Sequence, residues 1–143
     1  MKKGILIFLS LVLINCTSDD SKPKEEDSEL LGKWKLIEQL SDPGDGSGVF
    51  NSIDSNRTIE FFSNGTVTIN GILCFMSSQV GDESSGTYSA VSGSDFSDGE
   101  IIPNDCDSNF VEPKVFYKIE GANLILWYLC IEPCGQKFIK LPD

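Results

Sequence analysis

The sequence predicts an all-β protein, a small antiparallel up-and-down β-barrel of about eight strands. Short runs of alternating apolar and polar residues recur along residues 30–143, and turn-forming residues separate them. The same region shows no convincing helical repeat. We count about eight runs, with a ninth at most, and this number favours a barrel over a two-sheet sandwich.

The first predicted strand begins at Gly32, and the other strands are organised around it. Every second side chain of a half-buried strand points toward the core. The predicted inward residues are Trp34, Leu36 and Leu40. The alternation breaks at Ile37 and Glu38, so we expect the Glu38 carboxylate to point inward near the open end of the barrel, within reach of water.

Residues 57–70 predict a β-hairpin whose loop length follows from its apolar pattern. A two-residue turn would place Glu60 opposite Ile69 and bring a charge onto the apolar face. A three-residue loop, residues 63–65, avoids this and requires Gly65 in the left-handed backbone region. The predicted pairs are then Phe61 with Val67 and Ile59 with Ile69.

The rest of the chain alternates between predicted strands and polar segments. We predict loops at residues 41–55 and 103–113, a polar turn at residues 82–85 and a further apolar run at residues 72–76. We predict strands at residues 86–90, 115–120, 124–130 and 136–141, and a weaker strand around Phe96, Ile101 and Ile102.

Residues 1–16 have the features of a bacterial lipoprotein leader. Lys2 and Lys3 precede an apolar run at residues 5–14, which is too short for a permanent membrane span and fits a secretory signal peptide. The run ends in Leu-Ile-Asn-Cys, which resembles the bacterial lipobox, although Asn15 departs from the usual Gly, Ala or Ser. The resemblance implies a lipoprotein signal peptide at residues 1–15 and lipidation of Cys16, which would anchor the protein to the membrane. The alternative is an ordinary signal peptide followed by a structural cysteine.

Residues 16–29 predict a disordered acidic tether. Residues 17–29 contain no aliphatic or aromatic side chain and many charges, so they cannot bury enough surface to become ordered. Ser-Asp-Asp at residues 18–20 resembles a surface-export signal of one phylum of Gram-negative bacteria. We therefore expect an outer-membrane lipoprotein, periplasmic or surface-exposed, with its folded domain at residues 30–143.

Two motifs resemble those of bacterial lipocalin-like domain lipoproteins, a family of Gly-x-Trp barrels. Leu-Leu-Gly-Lys-Trp at residues 30–34 matches the pattern Leu-x-Gly-x-Trp, and Gly-Thr-Tyr at residues 86–88 resembles the central Gly-x-Tyr strand. The resemblance implies a lipocalin-like β-barrel at residues 30–143, with the tryptophan closing one end. The chain lacks the family's Thr-Asp-Tyr motif and an arginine near the C-terminus. Lys140 could replace that arginine as a cation over the Trp34 ring.

The resemblance also implies a binding module that holds a small apolar or amphipathic ligand. The candidate interior and ligand-contacting residues are Trp34, Leu36, Phe61, Tyr88, Tyr117 and Trp127. The interior of an eight-stranded barrel is either packed by its own side chains or holds one small ligand. The alternative function is therefore a surface interaction or structural lipoprotein with a filled core and no ligand.

Four cysteines remain besides Cys16, an even number that predicts two disulfides in an exported protein. Three pairings are open. We favour Cys130–Cys134, which face each other across a tight turn, together with Cys74–Cys106. A redox-active dithiol and a four-thiolate zinc site are alternatives, but the cysteine spacings disfavour both.

Composition excludes several classes of function. The net charge is −11, so phosphate backbones would repel the protein and we expect no nucleic-acid partner. The chain has no histidine, which removes histidine-based catalysis and histidine-ligated zinc. Asp42 and Asp45 lie in a Gly-rich loop, but their spacing fails the calcium-binding EF-hand register. We therefore expect no enzyme, no cofactor and no metal. The expected partners are the membrane, through the lipid anchor, and a small hydrophobic ligand, and we expect a monomer.

Overall fold

The computed structural model describes residues 29–92, 94–104, 106 and 113–142. The predicted signal peptide, Cys16, residues 17–28 of the predicted tether and most of the predicted loop 103–113 lie outside these residues. The described residues form nine strands and, at Glu29 and Leu30, a helical turn. The strands are β1 (Gly32–Ser41), β2 (Asn51–Ser52), β3 (Thr58–Phe61), β4 (Thr66–Asn70), β5 (Glu83–Ala90), β6 (Gly99–Pro103), β7 (Val115–Glu120), β8 (Asn123–Tyr128) and β9 (Cys134–Lys140).

Eight of these strands close into one antiparallel ring. Each strand from β3 to β9 pairs with the next, β1 pairs with β3, and β9 returns to pair with β1. The two-residue strand β2 is an addition beside β1, at Glu38 and Gln39. The predicted all-β, up-and-down barrel is therefore confirmed, with an eight-stranded ring.

A bulge in β1 changes which of its side chains point inward. The register with β9 shifts between Leu36 and Glu38, so Ile37 is the extra residue. Glu38 therefore lies opposite Lys137, and the two side chains form an ion pair on the outer face of the barrel. The prediction that Glu38 points inward is wrong, because the bulge moves the alternation by one residue and gives the inward position to Gln39.

The β3–β4 hairpin has the predicted register and loop. Phe61 pairs with Val67, and Ile59 pairs with Ile69. All four side chains are at most 2% exposed. Gly65 has a backbone φ of +82°, in the left-handed region. The three-residue loop is confirmed, because it is the loop length that keeps every apolar side chain of the hairpin on the core face.

The Gly65 backbone supports a first prediction. A Cβ at residue 65 would meet its nearest neighbour, the Tyr88 carbonyl oxygen, at 3.9 Å, so there is room for it and backbone strain is the main cost. We expect Gly65→Ala to lower the free energy of unfolding by about 1–2 kcal/mol. Gly65→Asn should lose less, because asparagine adopts the left-handed conformation more readily. Chemical denaturation measures both variants, and equal losses would contradict strain as the cause.

Two predicted segments differ from the structure. Residues 72–76 form no strand and instead belong to a long loop, residues 71–82, which carries Leu73 into the core, where it is fully buried. Residues 83–85, predicted as part of a turn, form the first part of β5 and pair with residues 68–70. Their polar side chains conceal the strand, because the pairing is made by backbone groups.

The two ends of the barrel are built differently. Leu30, Trp34 and Lys140 lie at one end, which we call the tryptophan end. Loops 42–50, 71–82 and 129–133 lie at the opposite end, which we call the loop end. Both disulfides are at the loop end and have the predicted pairing, Cys74–Cys106 and Cys130–Cys134.

Candidate functional site

Most of the predicted interior residues lie together in the core. Trp34, Leu36, Phe61 and Tyr117 are at most 3% exposed, and Tyr88 is half-buried and packs against them. The rings of Phe61, Tyr88 and Tyr117 contact one another edge to face, with centroids 5.2, 6.0 and 6.3 Å apart. Such contacts stabilise an aromatic cluster beyond its area burial. Five of the six predicted residues therefore lie together inside the barrel.

Trp34 closes the tryptophan end. Its indole Nε1 donates a hydrogen bond to the Leu30 carbonyl oxygen at 2.9 Å. The Lys140 ammonium lies 5.4 Å from the centre of its ring and donates to the Glu29 carbonyl oxygen at 2.8 Å. Lys140 therefore occupies the predicted place of a cation over the tryptophan, and it also ties the C-terminal strand to the entry of the chain.

Trp127 lies on the outer face, so its prediction as an interior residue is wrong. Tyr128 and not Trp127 pairs with the buried Val115. Opposite Trp127 on β9 is Gly135, where a Cβ would approach the indole to 2.8 Å. The missing side chain leaves space for the indole on the outside of the sheet. The rings of Phe50 and Phe96 contact it there, at 5.7 and 6.1 Å.

The centre of the barrel is packed by its own side chains. A side chain that lines a void large enough for a water molecule has accessible surface, and the central side chains have almost none. The side chains with 0% exposure include Leu36, Ile59, Val67, Leu73, Ile101, Val115, Leu124, Leu126 and Phe138. In this conformation, therefore, no ligand-sized cavity lies against these residues.

Arg57 is buried at the loop end. It is the sole arginine of the chain, and its side chain is 0% exposed. Its Nη1 donates to the Gln79 carbonyl oxygen at 2.9 Å, and its Nη2 donates to the Ile72 carbonyl oxygen, so loop 71–82 covers it. Within the described residues its Nε–H has no hydrogen-bond partner, and no carboxylate forms an ion pair with it. Burial lowers the pKa of the Arg57 guanidinium, because the charged form loses its hydration.

Gln136 continues this buried polar layer and is also 0% exposed. Its Nε2 donates to the Ser77 carbonyl oxygen at 2.7 Å and to Gln39 Oε1 at 3.2 Å. Its Oε1 accepts from the Tyr128 hydroxyl at 2.9 Å. Burial raises the pKa of Tyr128 to about 12, and the nearby Arg57 charge partly opposes this rise. Three buried side chains, Ser55, Arg57 and Gln136, therefore donate hydrogen bonds to backbone carbonyls of loop 71–82.

Arg57 and Gln136 are not among the predicted site residues, although their positions in the sequence indicate burial. Arg57 is two residues before the inward Ile59, and Gln136 is two residues before the inward Phe138. Strand periodicity therefore places both on the core face. A polar residue at a predicted core position is informative, since most charged residues are exposed.

Loop 71–82 also shapes the outer surface of the loop end. It surrounds a depression of about 390 Å³, whose lining includes Ile72, Phe75 and Val80. Phe75 is 57% exposed and Val80 is 53% exposed. The loop thus exposes apolar side chains at the surface and covers the polar side chains of Arg57 and Gln136. A site with apolar and polar groups side by side is suited to an amphipathic ligand.

The carboxylate of Asp42 is occupied by the backbone of its own loop. Its two oxygens accept hydrogen bonds from the amides of Gly44, Gly46 and Gly48, at 2.7, 3.1 and 2.8 Å. The Asp45 carboxylate accepts from the Ser47 amide. Within the described part of the chain, no three or more residues of the types Cys, Asp and Glu gather into a possible metal site. Asp42 organises a turn at the loop end.

A second prediction concerns the pH dependence of this turn. Hydrogen bonds from the amides of Gly48, Gly44 and Gly46 lower the pKa of Asp42 below its ordinary value of 3.8. The charged form is therefore favoured in the folded state, and its hydrogen bonds should persist at pH 3.8 and be lost as the pH falls through the lowered pKa. Carboxyl NMR titration measures this pKa, with the Asp42→Asn amide shifts as the reference for a neutral side chain. A pKa at or above 3.8 would contradict the arrangement.

Comparisons with known proteins add little to this geometry. No family model and no curated protein matches the chain. The crystal structure of a lipocalin-like protein from Bacteroides uniformis is similar, with 22% sequence identity and a TM-score of 0.49, over 79% of this chain and 99% of that chain. That likeness is too low to carry an argument, so the class of the protein, a closed antiparallel β-barrel, follows from its strand order and register. In the described residues, no helix is both long enough and apolar enough to cross a membrane.

Proposed function

We propose that this chain is a lipid-anchored lipoprotein of the cell envelope whose lipocalin-like barrel binds a small amphipathic ligand at the loop end and catalyses no reaction. The observation that carries the proposal is the buried polar layer at that end. Burying a guanidinium and an amide lowers the stability of the fold, and buried polar groups that do so often belong to functional sites. The centre of the barrel, by contrast, is apolar and packed.

The loop end is a better candidate for the binding site than the interior aromatic residues that the sequence predicts. Trp34, Phe61 and Tyr117 have almost no accessible surface, so a ligand between them would have to displace core side chains. Loop 71–82 is held by hydrogen bonds from Ser55, Arg57 and Gln136 and by one core side chain, Leu73, and a surface depression lies beside it. Withdrawing one loop with one core side chain costs less than repacking several strands, because surface segments open locally at lower free energy.

The anchor is a separate part of the proposal and rests on the sequence. The apolar run at residues 5–14 and the lipobox-like end at Cys16 support lipidation, and the acidic tether supports display of the barrel away from the membrane. The location proposed is the outer membrane, facing the periplasm or the cell surface. Cells grown with labelled palmitate should label the wild-type protein and not the Cys16→Ala variant. Equal labelling of both would refute lipidation at this residue.

Ligand binding is tested on the mature chain, residues 16–143 with Cys16→Ser, so that no acyl chain competes for the site. The protein is purified without detergent from an oxidising compartment, extracted with organic solvent, and the extract is analysed by mass spectrometry. We expect an amphipathic molecule in stoichiometric amount, or saturable binding of a fluorescent amphiphile to the emptied protein. Absence of both would reject the binding proposal.

The filled core favours a second candidate function, a surface interaction or structural lipoprotein without a ligand. The side chains at 0% exposure are the specific observation behind it. Its contact surface would be the outer aromatic cluster of Phe50, Phe96, Phe116 and Trp127. The Trp127 ring contacts those of Phe50 and Phe96, and the Phe96 ring also contacts that of Phe116. Exchange of Phe96, which is 56% exposed, for serine should then weaken capture of the partner while leaving any ligand binding unchanged.

A further inference from the structure

We propose that Arg57 is the anchor for the anionic headgroup of a long-chain carboxylate, and that loop 71–82 occupies this site until the ligand displaces it. This inference rests on the proposed function, since it names the class of ligand and the residue that selects it. It commits to one chemistry, a single-chain amphiphile with a carboxylate head and an apolar tail.

The charge of Arg57 supports an anionic headgroup. The guanidinium is fully buried, and within the described residues it faces the backbone carbonyls of Ile72 and Gln79 and the Tyr128 hydroxyl but no carboxylate. Its Nε–H is left without an acceptor. A carboxylate can accept two parallel hydrogen bonds from Nε and one Nη, which compensates the charge and satisfies the remaining donor together. Neutral carbonyls provide neither the charge nor that paired geometry.

The packing of Leu73 supports an apolar tail beside this headgroup. The inward position of β5 opposite Val67 is Gly86, which contributes no side chain to the core. Leu73 from loop 71–82 fills that place, and its Cδ2 would lie 3.2 Å from a Cβ built on Gly86. The barrel wall thus contains a hollow that is filled by the loop and not by a strand. If the loop withdraws, an alkyl chain can take the place of Leu73 against Gly86.

The ends of the loop are suited to such a movement. Gly71 and Gly81 lie near its two ends, and glycine accommodates backbone rotations that other residues resist. Gly71 has a φ of +148°, and a Cβ there would lie 2.5 Å from Nη1 of Arg57, so the loop backbone rests directly on the guanidinium. The Cys74–Cys106 disulfide keeps the loop attached while it moves. The displacement is therefore a hinged withdrawal from Arg57.

The test compares an acid with its ester on the mature chain, residues 16–143 with Cys16→Ser. The probes are 11-(dansylamino)undecanoic acid and its methyl ester, which share the same tail and differ in charge. We expect the acid to bind at least about tenfold more tightly than the ester. Arg57→Met should remove this preference by weakening the acid, while ester affinity should not fall, because the variant also loses the two hydrogen bonds that hold loop 71–82 over the site. Lys33→Met is the matched control, because it removes a cation from the exposed outer face and should leave the preference intact.

A second measurement needs no variant and covers the case in which Arg57→Met does not fold. Arg57 is the sole arginine, so its Nε–H resonance is identified in the NMR spectrum without further assignment. The acid should shift this resonance strongly downfield in the wild-type chain, and the ester should shift it little.

Three outcomes are distinguishable. A strong preference for the acid that depends on Arg57, with the Nε–H shift, supports the inference. Equal binding of acid and ester, or an unmoved Nε–H resonance with the acid bound, overturns the anchor role while the proposed binding function stands. Binding of neither probe overturns this inference, and together with an extract that contains no amphiphile it overturns the proposed function as well.

Discussion

Trp34→Ala is expected to lower the free energy of unfolding by about 3–5 kcal/mol, the range for removal of a buried aromatic side chain. The Trp34 side chain is 2% exposed, and its loss leaves a void at the tryptophan end that the closed sheet cannot collapse to fill. Two further contacts disappear with it, the hydrogen bond to the Leu30 carbonyl and the Lys140 ammonium over the ring. Urea denaturation of the oxidised chain, followed by far-ultraviolet circular dichroism, measures the loss.

Trp127→Ala is the matched control, because it makes the same chemical change on the outer face. The Trp127 indole is half-buried and lies over Gly135, so its removal deletes surface contacts and creates no internal void. We expect a loss of about 1–2 kcal/mol. Equal losses for the two variants, or a larger loss for Trp127, would contradict the assignment of Trp34 as the closing residue of the barrel. That ranking would also challenge the strand register that places Trp127 outside.

The parts of the fold that could be predicted are those in which one local choice satisfies the whole apolar pattern. The β3–β4 hairpin is the clearest example. Among the loop lengths considered, one keeps Ile59, Phe61, Val67 and Ile69 together on one face, and Gly65 supplies the backbone conformation that this loop needs. The closing position of Trp34 and the place of Lys140 over its ring were implied instead by the resemblance of residues 30–34 to the Leu-x-Gly-x-Trp motif.

The failed predictions share a physical cause. In each, a segment distant in the sequence determines which face of the strand is buried. Glu38 was expected inside because the extra residue in β1 becomes visible only in its register with β9. Trp127 was expected inside because β8 is apolar on both faces, and its alternation does not tell which face is covered. The outward position of Trp127 depends on Gly135 of β9, which leaves space for the indole, and on Phe96 in the loop after β5, which contacts it. Neither is a neighbour of Trp127 in the sequence.

The candidate site was hidden for a related reason. The predicted ligand contacts are aromatic because large apolar side chains usually line such sites, but in this barrel most of these residues pack the core. The polar residues that distinguish the loop end, Arg57 and Gln136, are isolated in the sequence among strand residues. Their importance depends on burial and on the missing counter-charge, which are properties of the folded chain.

Loss of the Cys74–Cys106 disulfide, in the variant Cys74→Ser/Cys106→Ser, is expected to lower the free energy of unfolding by about 3–4 kcal/mol. The two cysteines are 32 residues apart in sequence, so the bond restricts a large part of the unfolded chain. In the folded state it ties loop 71–82, which carries the fully buried Leu73, to the segment between β6 and β7. Urea denaturation of the oxidised protein and of the variant measures the difference.

The variant Cys130→Ser/Cys134→Ser is the control for the length of the loop that the disulfide closes. These cysteines are 4 residues apart, so the same entropy argument predicts a smaller loss, about 2 kcal/mol. The two disulfides lie at the same end of the barrel, so a difference between them reflects the length of the closed loop or the segment that each bond ties in the folded state. Similar losses would mean that the Cys74–Cys106 bond acts through the folded loop end and not through the unfolded chain. Amide hydrogen exchange of residues 71–82 separates these cases, since loosening confined to that loop would mark a folded-state effect.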